Sequence, residues 1–425
     1  MKKSLFGSAS FGGTKLAWKM FVRRPLIIFI TIICAISCLD CSLSDDERTV
    51  INVDQFGTQG DDDSQAFRRA WDIFCHTKAG LLLIPMGTYF LKPISFDGPC
   101  NPNLTMKIEG TIKAWPDKKE YETSGRLNWM LFRGLHYFNV GGGGTIDGNG
   151  KHWWKQSCNS LNNQLHSQCD NGSIPFSVMF ENCTNLKVEN LWFKNAQKMH
   201  LTLNITRHVE ISRINIEAPY DSLNTDGIHI SRSHSISITN STIKTGDDCI
   251  SVVNRTSSVR ILDINCGPGH GISIGSLGRL GNQETESVSD IVVKGAKFKG
   301  TSNGVRIKTW QGGKGMANNI TFENIEMDNV MNPIIIDQFY CAKFGIGSCD
   351  EQKNAVNIRS VLYKNITGTS ASDVAILFNC SKTYSCQDIE LENVTLSGVE
   401  EQQEVKASCS LVLPIIEGDV SPRCV

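Results

Sequence analysis

Val188-Glu189-Asn190-Leu191 is followed by Ile211-Ser212-Arg213-Ile214 and Ile238-Thr239-Asn240-Ser241, and the same four-residue shape keeps returning. It recurs at Ile261-Leu262-Asp263-Ile264, Val293-Lys294-Gly295-Ala296, Phe322-Glu323-Asn324-Ile325, Tyr363-Lys364-Asn365-Ile366 and Leu391-Glu392-Asn393-Val394. Each unit is an apolar residue, a variable one, Asn or another turn residue, then an apolar or small one. The third positions lie 23, 27, 23, 32, 29, 41 and 28 residues apart, a base period near 23 with insertions. Apolar residues alternate within each unit, as in Val209-Glu210-Ile211-Ser212, which marks a strand with one buried face. Short strands at a fixed period signal a solenoid. Propeller repeats run to ~40–45 residues and leucine-rich repeats need a regular Leu/Asn signature; neither fits. The reading is all-β: a right-handed parallel β-helix whose coils stack at ~4.8 Å.

Working outward, 425 residues would suggest about three domains, but a solenoid makes residues 45–425 one elongated domain. Its open N-terminal edge needs a cover. Phe67, Ala70, Trp71 and Phe74 have helical spacing behind Asp63 and Ser64, either of which can serve as N-cap. That helix is expected to cap the first coil. Forty-two basic and 43 acidic side chains give a net charge of -1, which excludes a strongly basic nucleic-acid binder. Sixteen cysteines fit an oxidising compartment. Residues 1–44 place Lys2, Lys3, Lys15, Lys19, Arg23 and Arg24 ahead of an apolar run from Leu26 to Leu39. That order reads as a secretory signal, with a signal-anchor as the alternative. Ten Asn-x-Ser/Thr sequons, at Asn103, Asn171, Asn182, Asn204, Asn240, Asn254, Asn319, Asn365, Asn379 and Asn393, suit a secreted glycoprotein that uses some of them. The remainder are expected of a chain rich in Asn, Thr and turns.

Four motifs interrupt the repeat: Asn224-Thr225-Asp226-Gly227, Gly246-Asp247-Asp248, Gly269-His270-Gly271 and Arg306-Ile307-Lys308. Taken singly, each reads as a turn, a solvated acidic pair, a structural histidine or a surface Arg-x-Lys. Their spacing changes that. Asp226 to Asp248 is 22 residues and Asp247 to His270 is 23, each about one coil. The three sites then stack on one wall, about 5 Å per coil. The 36 residues from His270 to Arg306 are one coil plus a polar insertion around Gly278 to Ser287. Arg306 and Lys308 share a strand face. Three carboxylates, an imidazole and two cations converge, and mutual repulsion should raise at least one carboxyl pKa, as a proton donor requires.

At these residues the sequence resembles the polygalacturonase family of glycoside hydrolases, with the four motifs in the family's order, Tyr340 at its late tyrosine and Gly144-Thr145-Ile146-Asp147-Gly148 ahead of them. The resemblance spans roughly residues 50–425 and looks closest to the plant members. It implies inverting hydrolysis of α-1,4 bonds between galacturonic acid units of pectin, without a cofactor or metal. It implies Asp247 as general acid, Asp226 and Asp248 as the pair activating water, and His270 as support for the acid. It implies Asn224, Arg306, Lys308 and Tyr340 as substrate contacts, the cations gripping a carboxylate. The expected partner is pectic polysaccharide met outside the cell by a monomer, with no nucleic acid. Exo-acting or xylogalacturonan-type hydrolysis, a lyase, and a non-catalytic pectin-binding solenoid are the alternatives. Inversion sits awkwardly with adjacent-coil spacing, since inverting carboxyl pairs are ~6.5–9.5 Å apart and retaining ones ~5–5.5 Å.

Loss of residues 1–37 or 1–44 leaves an odd number of cysteines, so one thiol should be free, and Cys183 before a core strand is the candidate. Plausible pairs are Cys158–Cys169, Cys341–Cys349, Cys380–Cys386, Cys409–Cys424 and Cys249–Cys266, the last one coil apart behind Asp247 and Asp248.

Overall fold

The computed structural model describes residues 49–424 apart from 126, 155–173, 280, 341–348 and 401. Residues 1–44, expected to be a secretory signal or signal-anchor, and Asn171, Cys158, Cys169 and Cys341 lie outside the described residues. The strands form a 17-stranded and an 11-stranded sheet, and every pairing between named strands is parallel. Chain order equals stacking order in the 11-stranded sheet, which is the parallel β-helix expected from the repeat.

The repeat's third position proves to be a bend. Asn190, Arg213, Asn240, Asp263, Gly295, Asn324, Asn365 and Asn393 all have left-handed backbones, with φ from 50 to 71°. They stand in register from coil to coil. Asn and Asp are the L-residues that tolerate this conformation best. Where Gly295 takes the position, a Cβ would come within 2.4 Å of Asp263 Oδ1. A second bend column runs in register through Asn185, His208, Ser235, Ser258, Asp290, Asn319 and Ser360, also at positive φ.

Inside, identical rungs pack on one another. Ile228, Ile250, Ile272, Val305 and Ile334 form one inward column, with Ile230, Val252, Ile274, Ile307 and Ile336 beside it, all fully buried. β-branched side chains suit a pleat buried among like neighbours. The capping helix spans Ser64–Cys75 with Asp63 as N-cap, and buries Phe67, Ala70, Trp71 and Phe74. Trp71 meets Phe96 at 4.9 Å, and Phe96, Phe132 and Phe180 stack in sequence at 4.9 and 4.7 Å. Bonds join Cys249–Cys266, Cys380–Cys386 and Cys409–Cys424, and Cys183 is free and buried, as expected. Cys349 is also disulfide-bonded. The Cys75–Cys100 bond, which ties the end of the capping helix to the first coils, was not anticipated from spacing.

Candidate active site

The 11-stranded sheet builds the site. Strands Ile228–Ser231, Ile250–Val252, Ile272–Leu277 and Asn303–Thr309 are successive rungs, so the 36-residue step to Arg306 is a single coil with an insertion. Extending that register backwards places Asp226, Asp248, His270 and Asn303 in one column at the strand entrances. The motif residues lock neighbouring coils together: Gly246 N–H donates to Thr225 Oγ1 at 3.1 Å, and Gly227 N–H to the Asp248 carbonyl at 2.9 Å. A Cβ on Gly246 would stand 2.1 Å from the Ser222 carbonyl, so only glycine allows this approach.

Asp248 lies at the centre. Arg306 Nη2 donates to its Oδ1 at 2.7 Å and Lys308 Nζ to its Oδ2 at 2.8 Å. Ser273 Oγ donates to Oδ1 at 2.8 Å while accepting from Arg306 Nε at 3.0 Å. Burial opposes ionisation of Asp248, but the two cations outweigh it and hold its carboxyl below the ordinary range. Arg306 and Lys308 are therefore not idle cations facing the groove; in this structure both hold Asp248.

Asp247 points the other way. Its side chain is 19% exposed against 2% for Asp248 and 8% for Asp226. Oδ1 meets His270 Nδ1 at 3.1 Å and accepts the Asp248 N–H at 2.8 Å, and Asn224 Nδ2 lies 3.4 Å from Oδ2. Burial is outweighed by His270, Lys308 and that backbone N–H, so the Asp247 pKa is lowered. His270 resists burial through the Asp247 charge and is raised. Each favours the charged form of the other, Asp247 as carboxylate and His270 as imidazolium. The carboxyl with a raised pKa is Asp226, through burial first and the Asp247 charge second. Repulsion among the acids thus shows as a raised pKa at Asp226, while at Asp247 and Asp248 the nearby cationic groups outweigh it.

Several supporting residues escaped the sequence reading. Ser251 Oγ donates to Asp226 Oδ2 at 2.7 Å and touches His229 Nδ1 at 2.8 Å. His229, Ser251, Ser273 and Arg306 form a second register column beside the first. The signal was present: 229, 251 and 273 repeat the 22-residue step of 226, 248 and 270. His200 is buried, accepts the Ala196 N–H on Nε2 at 3.3 Å, and meets the Asp226 carbonyl with Nδ1 at 3.1 Å. Nδ1 therefore carries the ring proton, and burial lowers the His200 pKa to about 4. Tyr340 is half-buried, with Lys308 Nζ 5.4 Å above its ring and Trp310 edge-on at 6.1 Å. All eight residues singled out from the sequence fall in this one neighbourhood. Asp247, Asp248 and His270 offer donor atoms within 4.8 Å of one another, but both Asp248 oxygens already face cations, which disfavours a further one.

The fold and the site together are a parallel β-helix with carboxylates clustered on one wall. Residues 75–412 match the model of Glycosyl hydrolases family 28, and the chain belongs to that family. It is 46% identical over 378 residues to a polygalacturonase of Malus domestica, covering 88% of this chain and 79% of the relative. It is 44% identical over 380 residues to Polygalacturonase-2 of Solanum lycopersicum, covering 88% and 80%. Among solved structures, the endo-xylogalacturonan hydrolase of Aspergillus tubingensis superposes with a TM-score of 0.72 at 22% identity, over 87% of this chain and 99% of that one. The polygalacturonase of Erwinia carotovora gives 0.70 at 21%, over 86% and 96%. The chain is a glycoside hydrolase.

Proposed function

We propose that the chain hydrolyses α-1,4 bonds between galacturonic acid residues of polygalacturonate with inversion, outside the cell. The observation that carries this reading is the asymmetry of the three carboxylates: Asp247 is the most exposed and pairs with His270 at 3.1 Å, while Asp226 and Asp248 lie deeper. Asp247 delivers the proton to the glycosidic oxygen as the C1–O bond breaks, and His270, which holds that proton in the free protein, supplies it. A water bonds to C1 and passes its proton to Asp226 or Asp248. Asp248 is a poor nucleophile, because Arg306, Lys308 and Ser273 occupy its oxygens. That supports the water route over a covalent intermediate even though Asp247 and Asp248 approach within 4.8 Å. Asn224 holds Asp247, and Tyr340 lies beside the site with its ring against Lys308, whose ammonium pairs with Asp248. The disulfides fit an oxidising compartment.

The pH profile follows from the proton positions. Ionisation of Asp226, raised above 3.8, sets the acid limb, and loss of the proton from His270, raised above 6.5, sets the alkaline limb. Product analysis on de-esterified polygalacturonate tests the reading. Saturated products with new reducing ends, first seen as β-anomers by NMR, are expected. An ultraviolet-absorbing unsaturated product would make the chain a lyase, and initial α-anomers would overturn inversion. Long early products mean endo action, and monomer alone means exo.

A further inference from the structure

Two of the three acids are reached through a serine. Arg306 Nε donates to Ser273 Oγ at 3.0 Å, and Ser273 Oγ donates to Asp248 Oδ1 at 2.8 Å. One coil earlier, His229 Nδ1 meets Ser251 Oγ at 2.8 Å, and Ser251 Oγ donates to Asp226 Oδ2 at 2.7 Å. His229, Ser251, Ser273 and Arg306 are consecutive rungs of one column, so a nitrogen donor closes each end and the serines lie between. A hydroxyl has one proton. Ser251 directs its proton at the Asp226 carboxylate, so His229 Nδ1 is the donor to Ser251, in the neutral ring and the charged one alike.

The two ends differ in strength. Arg306 is always charged and also reaches Asp248 directly, and Lys308 holds the other oxygen, so both Asp248 oxygens are engaged. His229 Nδ1 lies 3.9 Å from Asp226 Oδ2, too far for a hydrogen bond of its own, and acts through Ser251. Asp226 Oδ1 makes no hydrogen bond among the described residues and is available to a proton. Asp247 and Asp248 face Asp226 from the next coil, and Lys198 and His200 approach from the coil before. Burial and the Asp247 charge oppose ionisation of Asp226, and His229 works against both.

We propose that His229 is a positioning residue for the base: through Ser251 it aims a hydroxyl proton at Asp226 Oδ2, keeps Asp226 ionised, and so makes Asp226 rather than Asp248 the acceptor of the water's proton. The proposal rests on the hydrolysis reading above. The water's O–H bond breaks as its oxygen bonds to C1, and the proton ends on Asp226 Oδ1.

The test is the pH profile of kcat on polygalacturonate for His229→Leu, His229→Gln, His229→Asn, and Ser251→Ala with and without His229→Leu. Loss of the Nδ1–H weakens the ionised form of Asp226. In His229→Leu the acid limb should therefore move up by about one pH unit, about tenfold in kcat at a pH on that limb, with KM within about twofold. His229→Gln, whose amide nitrogen reaches the place of Nε2, should shift it equally. His229→Asn, whose Nδ2 stands where Nδ1 stands, should restore most of it. Adding His229→Leu to Ser251→Ala should move the limb no further than Ser251→Ala alone. An unmoved limb in His229→Leu and His229→Gln overturns the inference. So does an equal shift in His229→Asn, which would make packing of the ring the cause, or an additive shift in the double variant. A raised KM without a shifted limb also overturns it, since His229 would then touch the substrate. If His229→Leu fails to fold, His229→Gln takes its place in both arms. An unmoved limb in Ser251→Ala would remove Asp226 as acceptor, and the inference with it. An inactive wild type, or an unsaturated product, would instead sink the hydrolysis reading itself.

Discussion

The bend column through Asn324, Asn365 and Asn393 and the site column through Asp226, Asp248 and His270 are both stacks of polar residues, one rung per coil. In the first, each rung satisfies the next: Asn365 Nδ2 donates to Asn324 Oδ1 at 3.0 Å, and Asn393 Nδ2 to Asn365 Oδ1 at 3.2 Å. An amide is both donor and acceptor, so identical rungs close on themselves. Carboxylates are acceptors only and repel, so the site column cannot. It borrows donors from the adjacent column, Ser251 for Asp226 and Ser273 with Arg306 for Asp248, and from Lys308. Repetition supplies the rise, and departures from repetition supply the chemistry.

The comparison breaks most severely at Asp248. Asp248→Asn removes the anion from two buried cations, and breaking a buried pair costs ~3–5 kcal/mol. Thermal or denaturant unfolding should show that loss, together with collapse of activity; a neutral effect would mean that the cations do not depend on Asp248. Next comes His200, which must stay neutral to hold both its bonds. Its lowered pKa means that the unfolded chain binds the extra proton more readily. Stability is thus lost as pH falls from 6.5 towards 4, by ~3 kcal/mol at ~1.4 kcal/mol per unit. Unfolding across that window should show the slope, and His200→Asn should flatten it.

Smaller effects sharpen the contrast. Ser251→Ala leaves a buried Asp226 oxygen without its donor, at ~1–3 kcal/mol. It should also move the acid limb of the rate profile to higher pH, because the charged form loses a hydrogen bond. Asn365→Ala, on the exposed bend column, should cost about 1–2 kcal/mol from a left-handed alanine and two lost bonds. Its kcat should stay unchanged; a kcat loss there would show that the two columns are coupled.

The bend column was legible because Asn, Asp and Gly recur at its rungs. The second column was not, since His208, Ser235, Ser258, Asp290 and Asn319 share a backbone conformation and no residue type. The site motifs were legible through one-coil spacing, but side-chain direction was not. Spacing could not show that Arg306 and Lys308 turn onto Asp248, nor that the raised pKa falls on Asp226. Isolated serines such as Ser251 and Ser273 look like ordinary strand residues until the register pairs them with the acids. Cys75–Cys100 was hidden because its two ends lie on a helix and a loop outside the repeat.

The central claim is that Asp247, alone among the three carboxylates, delivers the proton. Release of reducing ends from polygalacturonate by Asp247→Asn, alongside its unfolding temperature, tests this most directly. A drop of ~10²–10⁴-fold in kcat with a melting temperature near that of the wild type is predicted. Activity close to wild type in a folded Asp247→Asn protein would contradict the account.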